Sequence, residues 1–387
     1  METVSRWRHC NMRELYVIPG KDGAVILSED GKTVEVNRER DADPAGTVYL
    51  GKIDRIMKST EAAFVDVGTG KEAFLPLREN SETFIGTELR GGMKVPVQIR
   101  REAHGSKGAF LSRDLVIPGT TMILMPMNRH IGISAKITDE KARSRLKDLG
   151  NRLTEGKYGL VMRTAAAEAE DSVLENEYAT LAEKWLGLQS ILVNSNAIGP
   201  VQDTESVAER YLRDYGNGGI QRIIACGKVP FDTDIPVTVC ERVEIEQKVK
   251  NAVKSALQHT VTLPHGGTLV IDPCEAMTVV DVNTASDTRK SGNGFLMTNL
   301  EACAEIAAQL RLRNISGIVI IDMIDMETDD EREQVLEALR KAVRDDRVKT
   351  VVHGMTRLGL IELTRKRTDP SVYEQWAGTE NRIQGEG

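Results

Sequence analysis

Aromatic side chains make up only 4% of this 387-residue chain, and just six of them are phenylalanines. Cysteine is scarce too. Cys10, Cys226, Cys240, Cys274 and Cys303 form an odd set with no Cys-x-x-Cys pair. This argues against a disulfide framework, shows no zinc site and fits a reduced, cytoplasmic setting. No apolar run approaches the roughly 20 residues that span a bilayer, so no membrane partner is expected. The stretch from Met1 to Cys10 has no apolar signal core. Basic charge is not in excess: the formal net charge is −7. A nucleic-acid partner would therefore have to meet a local cationic groove, not a basic surface. Internal repeats and low-complexity tracts are also lacking. What remains, 40% hydrophobic and 28% charged, is the composition of a globular chain with room for several cores.

The most informative stretch runs from Thr268 to Met326. Two apolar strand-like runs, Met277–Asn283 and Ile318–Asp322, each deliver an acidic residue. Side chains alternate along a strand, so Asp281 and Asn283 share a face. Between the runs, Phe295, Leu296, Asn299, Leu300, Cys303, Ile306, Ala307 and Leu310 recur at helical spacing. A strand, a crossover helix and a second strand bring Asp281 and Asp322 close together. Two carboxylates at a sheet rim suit a hard cation such as Mg²⁺, with water completing the coordination. The same residues could instead cap, turn or pair structurally.

Upstream, residues 12–38 read as a β unit whose hairpin turns at Asp30-Gly31. It is too short to close a core alone. Residues 44–113 carry several short strands with glycine turns, the pattern of a small barrel. Phe64 and Phe74 fall on adjacent strands with Lys52, Arg55, Lys58, Lys71, Arg100, Arg101 and Lys107 around them in sequence. Either these rings stack bases, as OB-fold proteins do with single strands, or they fill the barrel core. Farther on, helices are expected over 136–149, 168–188, 202–215, 244–259 and 330–344. Arg163-Thr164 ends a strand and could grip a terminal phosphate or form a surface ion pair. Arg311, Arg313 and Arg357 could bind phosphates or pair with acids, and His353 could assist at the site or pack. From Pro370 the chain is polar and reads as a tail.

At this point the residues resemble a family. Gly46-Thr-Val-Tyr-Leu-Gly-Lys-Ile, Ala63-Phe-Val-Asp-Val-Gly and Ala73-Phe-Leu-Pro-Leu look like the S1-type OB domain of the ribonuclease E/G family. Ile123-Leu-Met-Pro, Gly132-Ile-Ser-Ala-Lys-Ile and Gly159-Leu-Val-Met-Arg-Thr-Ala resemble its 5′-sensor region. Thr278-Val-Val-Asp-Val-Asn-Thr, Thr298-Asn-Leu-Glu-Ala, Gln309-Leu-Arg-Leu-Arg and Ile320-Ile-Asp-Met-Ile-Asp-Met resemble its catalytic subdomain. The likeness runs over about residues 12–370, in the family's order.

The resemblance implies a multidomain α/β protein with an inserted all-β OB-fold RNA-binding domain and with RNase H-like and DNase I-like subdomains. The segments it implies are 1–43 and 191–255 for the RNase H-like part and 44–113 for the OB fold. The 5′ sensor takes 114–190, the DNase I-like catalytic part 256–370 and a tail 371–387. Asp281 and Asp322 match the magnesium-binding aspartates, with Mn²⁺ as the alternative cation, and Asn283 matches the supporting Asn. Phe64, Phe74 and Lys107 match residues that hold single-stranded RNA. Arg163 and Thr164, with backbone around Ile123, match the reader of a 5′-monophosphate. The implied activity is magnesium-dependent hydrolysis of single-stranded RNA to 5′-phosphate and 3′-hydroxyl ends, in RNA turnover or ribosomal RNA processing, stimulated by a 5′-monophosphate. A non-catalytic RNA-binding regulator is the alternative, and a nuclease for structured RNA precursors or DNA would use the same chemistry. After Arg367 the chain lacks the family's Cys-Pro-x-Cys motif, so no zinc is expected, and a homodimer would do without the family's zinc link.

Overall fold

The computed structural model of the chain describes residues 12–20, 23–39, 45–77, 88–103, 108–201, 205–216, 219–285 and 294–377. Backbone contacts divide it into two units, Met1–Arg40 with Gly219–Gly387, and Asp41–Gly218. The chain begins the first unit, builds the second, then returns.

The first unit opens with β1 (Arg13–Ile18), β2 (Ala24–Glu29) and β3 (Lys32–Arg38). Glu29 pairs with Lys32 across Asp30 and Gly31, whose φ angles of 48° and 80° are both positive. A two-residue turn with that twist needs residues tolerant of the left-handed region, which is why the Asp-Gly dipeptide predicts it.

The second unit starts with β4 (Val48–Met57), β5 (Ala62–Asp66), β6 (Ala73–Pro76), β7 (Lys94–Arg101) and β8 (Phe110–Ser112). The long β4 pairs with both β5 and β7, closing five strands into a small barrel. Its interior is mainly aliphatic, with Ile53, Ala63, Val65, Leu75, Val97, Ile99 and Leu111 buried beside the single aromatic Tyr49 among the described residues. A second sheet has the order β11-β12-β10-β9, from β9 (Ile117–Pro118), β10 (Met122–Met125), β11 (Ile131–Ile133) and β12 (Gly159–Met162). The helices α1 (Glu140–Thr154) and α2 (Asp171–Asn194) pack on it through Leu146, Leu149, Leu174 and Leu181. A two-residue β13 (Gly199–Pro200) pairs with β4, and α3 (Val207–Tyr215) follows. The first of the expected helices begins four residues later than its charge pattern suggests, because Asp139 accepts from the amides of Lys141 and Ala142 and starts the helix there. A Ser206–Glu209 capping box likewise starts α3 at Val207.

Back in the first unit, β14 (Arg222–Ala225) and β15 (Val237–Val239) extend the hairpin into a five-stranded sheet, β15-β14-β1-β2-β3. After α4 (Arg242–Ala256) come β16 (Thr260–Thr262), β17 (Thr268–Pro273), β18 (Met277–Asn283), α5 (Gly294–Leu312) and β19 (Gly317–Asp322). Then follow α6 (Asp329–Val343), β20 (Thr350–Met355) and β21 (Ile361–Arg365). The six strands are ordered β16-β17-β18-β19-β21-β20, and β18 with β19 is the parallel pair. Parallel neighbours need a crossover, and α5 supplies it. Val280, Val282, Val319, Ile321, Ile361 and Leu363 point to α5 and α6 and form one core with Cys303, Ile306, Leu310, Val335 and Leu339. Phe295, counted on the apolar face by spacing, is 42% exposed instead, since it stands in the first turn of α5.

The division at 218/219 cuts across the expected segment 191–255, leaving α3 and β13 in the second unit. It also merges the N-terminal sheet with the segment from 256 onward. Two features within the first unit explain the merger. One core joins Ile26 and Val36 to Ala252, Val253 and Leu312, together with Val372 and Trp376 of a last helix, α7 (Val372–Trp376). The start of the expected tail is thus a packed helix, opened by a Ser371–Glu374 capping box. The other feature is ionic. Glu35, 2% exposed, accepts from Arg347 Nε at 2.8 Å and Arg311 Nη2 at 3.4 Å, while Arg365 holds Asp346 at 2.7 Å.

Candidate active site and nucleic-acid interface

The register of β18 and β19 sets Asp281 directly beside Asp322. Val280, Val282 and Ile321 point into the core, so the intervening acidic positions point to the opposite face. Asp281 is half-buried and Asp322 exposed. Asn283, two residues on and on the same face, donates from Nδ2 to Asp281 Oδ2 at 2.7 Å. Thr278-Val-Val-Asp-Val-Asn-Thr therefore builds one strand whose polar side holds an oriented carboxylate.

A residue that periodicity assigned only to the helix turns out to hold this rim. Asn299, fully buried in α5, donates from Nδ2 to the Ile324 carbonyl at 2.8 Å, and its Oδ1 accepts from the Ile324 amide at 3.0 Å. These two bonds fix the backbone two residues beyond Asp322. A polar residue on the apolar stripe of a crossover helix was the available signal, since a buried amide has to find partners.

The arginines considered for phosphate binding divide. Arg311 is taken up by Glu29 at 3.0 and 3.2 Å and by Glu35. Arg313 is buried, bonded through Nε to Gln309 at 2.7 Å, and its burial pulls its pKa down to about 10. Both belong to the interior, as acid-paired or buried side chains and not as surface cations. Arg357 is exposed on the turn before β21, and His353 shares a hydrogen bond of 2.8 Å with the Thr364 hydroxyl.

At the end of β12, Arg163 donates to the Gly119 carbonyl at 2.6 Å and to Asp214 at 2.9 Å. Asp214, on α3, was not anticipated; it lies 51 residues away in sequence and only folding brings it to Arg163. Thr164 is exposed, 3.1 Å from the Ser134 hydroxyl. The Arg163 amide bonds to the Thr121 carbonyl, and Ile123 pairs with Val161 two residues farther along the same two strands.

On the barrel, Phe64 and Phe74 are half-buried and stand outside the aliphatic interior. They pair in register, with centroids 6.1 Å apart and rings nearly perpendicular. Phe74 in turn pairs with Phe110, stacked at 5.5 Å and 26°. Register bulges between Ile53 and Arg55 and between Ile99 and Arg101 set Arg55 opposite Phe64 and Arg101 opposite Phe110. The guanidinium carbons lie 4.4 and 4.5 Å from those ring centroids. Five strands thus present one row, Arg55–Phe64–Phe74–Phe110–Arg101. The sequence pattern shows Phe64 and Phe74 but misses Phe110, which sits on a strand of only three residues. Lys107 lies outside the described residues.

The carboxylate pair lies at the carboxyl ends of adjacent parallel strands, the position at which open α/β sheets bind ligands. Comparison with known proteins gives the chain a family. The sequence model of the Ribonuclease E/G family matches residues 116–368. Ribonuclease G of Escherichia coli K12 is 33% identical over 383 residues, covering 91% of this chain and 77% of the relative. Ribonuclease G of Haemophilus influenzae is 34% identical, covering 90% and 78%. Ribonuclease E of a Nostoc species is 33% identical and the match spans 56% of its length. The chain belongs to the Ribonuclease E/G family and is an endoribonuclease.

Proposed function

We propose that the chain hydrolyses single-stranded RNA at the Asp281–Asp322 rim with a bound Mg²⁺, leaving 5′-phosphate and 3′-hydroxyl ends. The observation that carries this is the in-register pairing of the two carboxylates, one of them anchored by Asn283. The donor set fits a hard cation. Among the described residues no cluster of three or more His, Cys, Asp or Glu could enclose a metal, so two carboxylates leave positions for water and phosphate oxygens, the manner in which Mg²⁺ is usually held. Mn²⁺ would suit the same ligands. When bound, such a cation acts as a Lewis acid on the scissile phosphate and eases deprotonation of water.

The chain's own residues do the rest. Asn283 keeps Asp281 in one orientation, and Asn299 holds the backbone that follows Asp322. Water attacks phosphorus in line, the bond to the 3′ oxygen breaks, and that oxygen takes up a proton. No general-base histidine is required. Residues 44–113 serve as the RNA-binding module through Phe64, Phe74 and Lys107, and residues 114–190 read the 5′ end through Ile123, Arg163 and Thr164. Residues 256–370 carry the chemistry. RNA turnover and ribosomal RNA maturation both suit this activity, and four free cysteines among the described residues favour a reducing, cytoplasmic setting.

A bidentate guanidinium and a hydroxyl suit a terminal monophosphate better than a triphosphate or a hydroxyl. RNA with a 5′-monophosphate is therefore expected to be cut faster than the same RNA with either other end, and Arg163→Ala is expected to erase most of that difference. The Asp214 carboxylate already holds Arg163, so the preference should be moderate. Initial rates on the three substrates check this; equal rates for wild type would remove the sensing role. Chelation should stop cleavage of all three, and added Mg²⁺ should restore it.

A further inference from the structure

The barrel row is longer than the residue set assigned to it. Phe110 extends the aromatic pair by a third ring, and an arginine closes each end. The two arginines differ. Arg55 is held by Glu72 at 2.8 Å, whereas the exposed Arg101 has no carboxylate partner among the described residues. A guanidinium lying on a ring offers a planar, cationic surface on which a base can stack while its N–H groups reach phosphate. We propose that Phe110 and Arg101 together form an additional base subsite of the barrel, taking one unstacked nucleotide of single-stranded RNA beyond those held at Phe64 and Phe74. This rests on the barrel's proposed role in binding RNA.

The geometry explains why the subsite has two members. Phe110 is stacked against Phe74, which leaves its remaining ring surface to Arg101. The bulge between Ile99 and Arg101 is what turns the Arg101 side chain onto the row, because an added residue resets which side chains share a face. The row spans four inter-strand steps, roughly 19 Å at the usual strand spacing. A strand of RNA crossing it meets cations at both ends and apolar faces between, which suits any base and specifies none. The chain's net negative charge makes such a local arrangement necessary for a polyanion.

The test is fluorescence-anisotropy titration of the full chain with end-labelled oligouridylates of increasing length, in chelator so that no cleavage intervenes. Wild type should gain affinity with each nucleotide until the third base is seated. Phe110→Leu keeps apolar packing on Phe74 but removes the ring, and should lose that last gain, roughly 5- to 100-fold. Arg101→Lys keeps the charge but not the plane; it should weaken binding several-fold with an unchanged salt slope. Arg101→Gln should also lower the slope, by about one. Thermal melting of each variant is measured alongside, and Phe110→Tyr should restore the gain. If Phe64→Ala and Phe74→Ala weaken binding while Phe110→Leu and Arg101→Lys leave it within twofold, this subsite is wrong and the barrel's role stands. If none of the four weakens binding, the barrel's role fails as well. A large drop in melting temperature for Phe110→Leu, without loss of affinity in the folded protein, would assign Phe110 to structure and overturn the proposal.

Discussion

Asp322→Asn is expected to lower RNA cleavage by at least about a thousandfold, the scale on which a preorganised charge at a reacting phosphate contributes. Asp281→Asn should do the same. The amide is nearly isosteric but carries no charge, and half of the carboxylate pair in β18 and β19 would be gone. Neither change touches the barrel row, so affinity for single-stranded RNA should stay within a few-fold. Neither should unfold the protein, because Asp322 is exposed and Asp281 only half-buried. Single-turnover rates beside a binding titration check both statements. A variant that cuts at near wild-type speed in Mg²⁺ would remove that carboxylate from the reaction.

The largest structural effect is expected at Glu35. Burial by itself would raise its carboxyl pKa, but the guanidiniums of Arg347 and Arg311 outweigh burial and hold it at about 2, below the ordinary 4.5. Glu35→Gln would remove the carboxylate that the two guanidiniums share, leaving Arg311 to Glu29 and Arg347 to a longer contact of 4.0 Å with Asp369. Breaking a buried ionic set from one side costs about 3–5 kcal/mol, on the order of 10 °C in melting temperature for a unit of this size. The same shift fixes a pH dependence. A depressed carboxyl stabilises the fold fully above its unfolded value and loses that contribution as pH falls toward the folded one. Wild type should therefore lose about 3 kcal/mol as pH drops from about 4.5 to about 2. The variant should lack that part of the slope. Melting curves across this acid range decide it; parallel slopes for the two proteins would contradict the assignment.

Much of the sheet that holds Asp281 and Asp322 was legible in the sequence. Apolar runs at Met277–Asn283 and Ile318–Asp322 mark both strands, and the helical spacing between them implies a crossover that brings their acids close together. The hairpin was legible for a different reason, since Asp30-Gly31 is one of few dipeptides that accept two positive φ angles. What escaped depended on partners remote in sequence. Asn299 looks like a flaw in an apolar stripe until Ile324 is seen between its two amide atoms. Arg311 looks like a cation near the site until Glu29 and Glu35 arrive from the first strands. A strand over 108–112 was legible, but the place of Phe110 on the row was not, because its neighbours Phe74 and Arg101 come from other strands and a bulge brings Arg101 opposite it. Trp376 lay in a stretch whose polar average hid a capped turn of helix.

Mapping the ends of the RNA products tests the proposed chemistry most directly. A short single-stranded RNA carrying a 5′-monophosphate is incubated with the purified protein, with Mg²⁺ and with chelator, and the fragments are weighed by mass spectrometry. The Asp281–Asp322 rim predicts fragments with 5′-phosphate and 3′-hydroxyl ends in Mg²⁺ and intact RNA in chelator. Fragments with 2′,3′-cyclic phosphate ends, formed equally well without the cation, would mean that the RNA 2′-hydroxyl is the nucleophile and that the carboxylate pair is not the reaction centre.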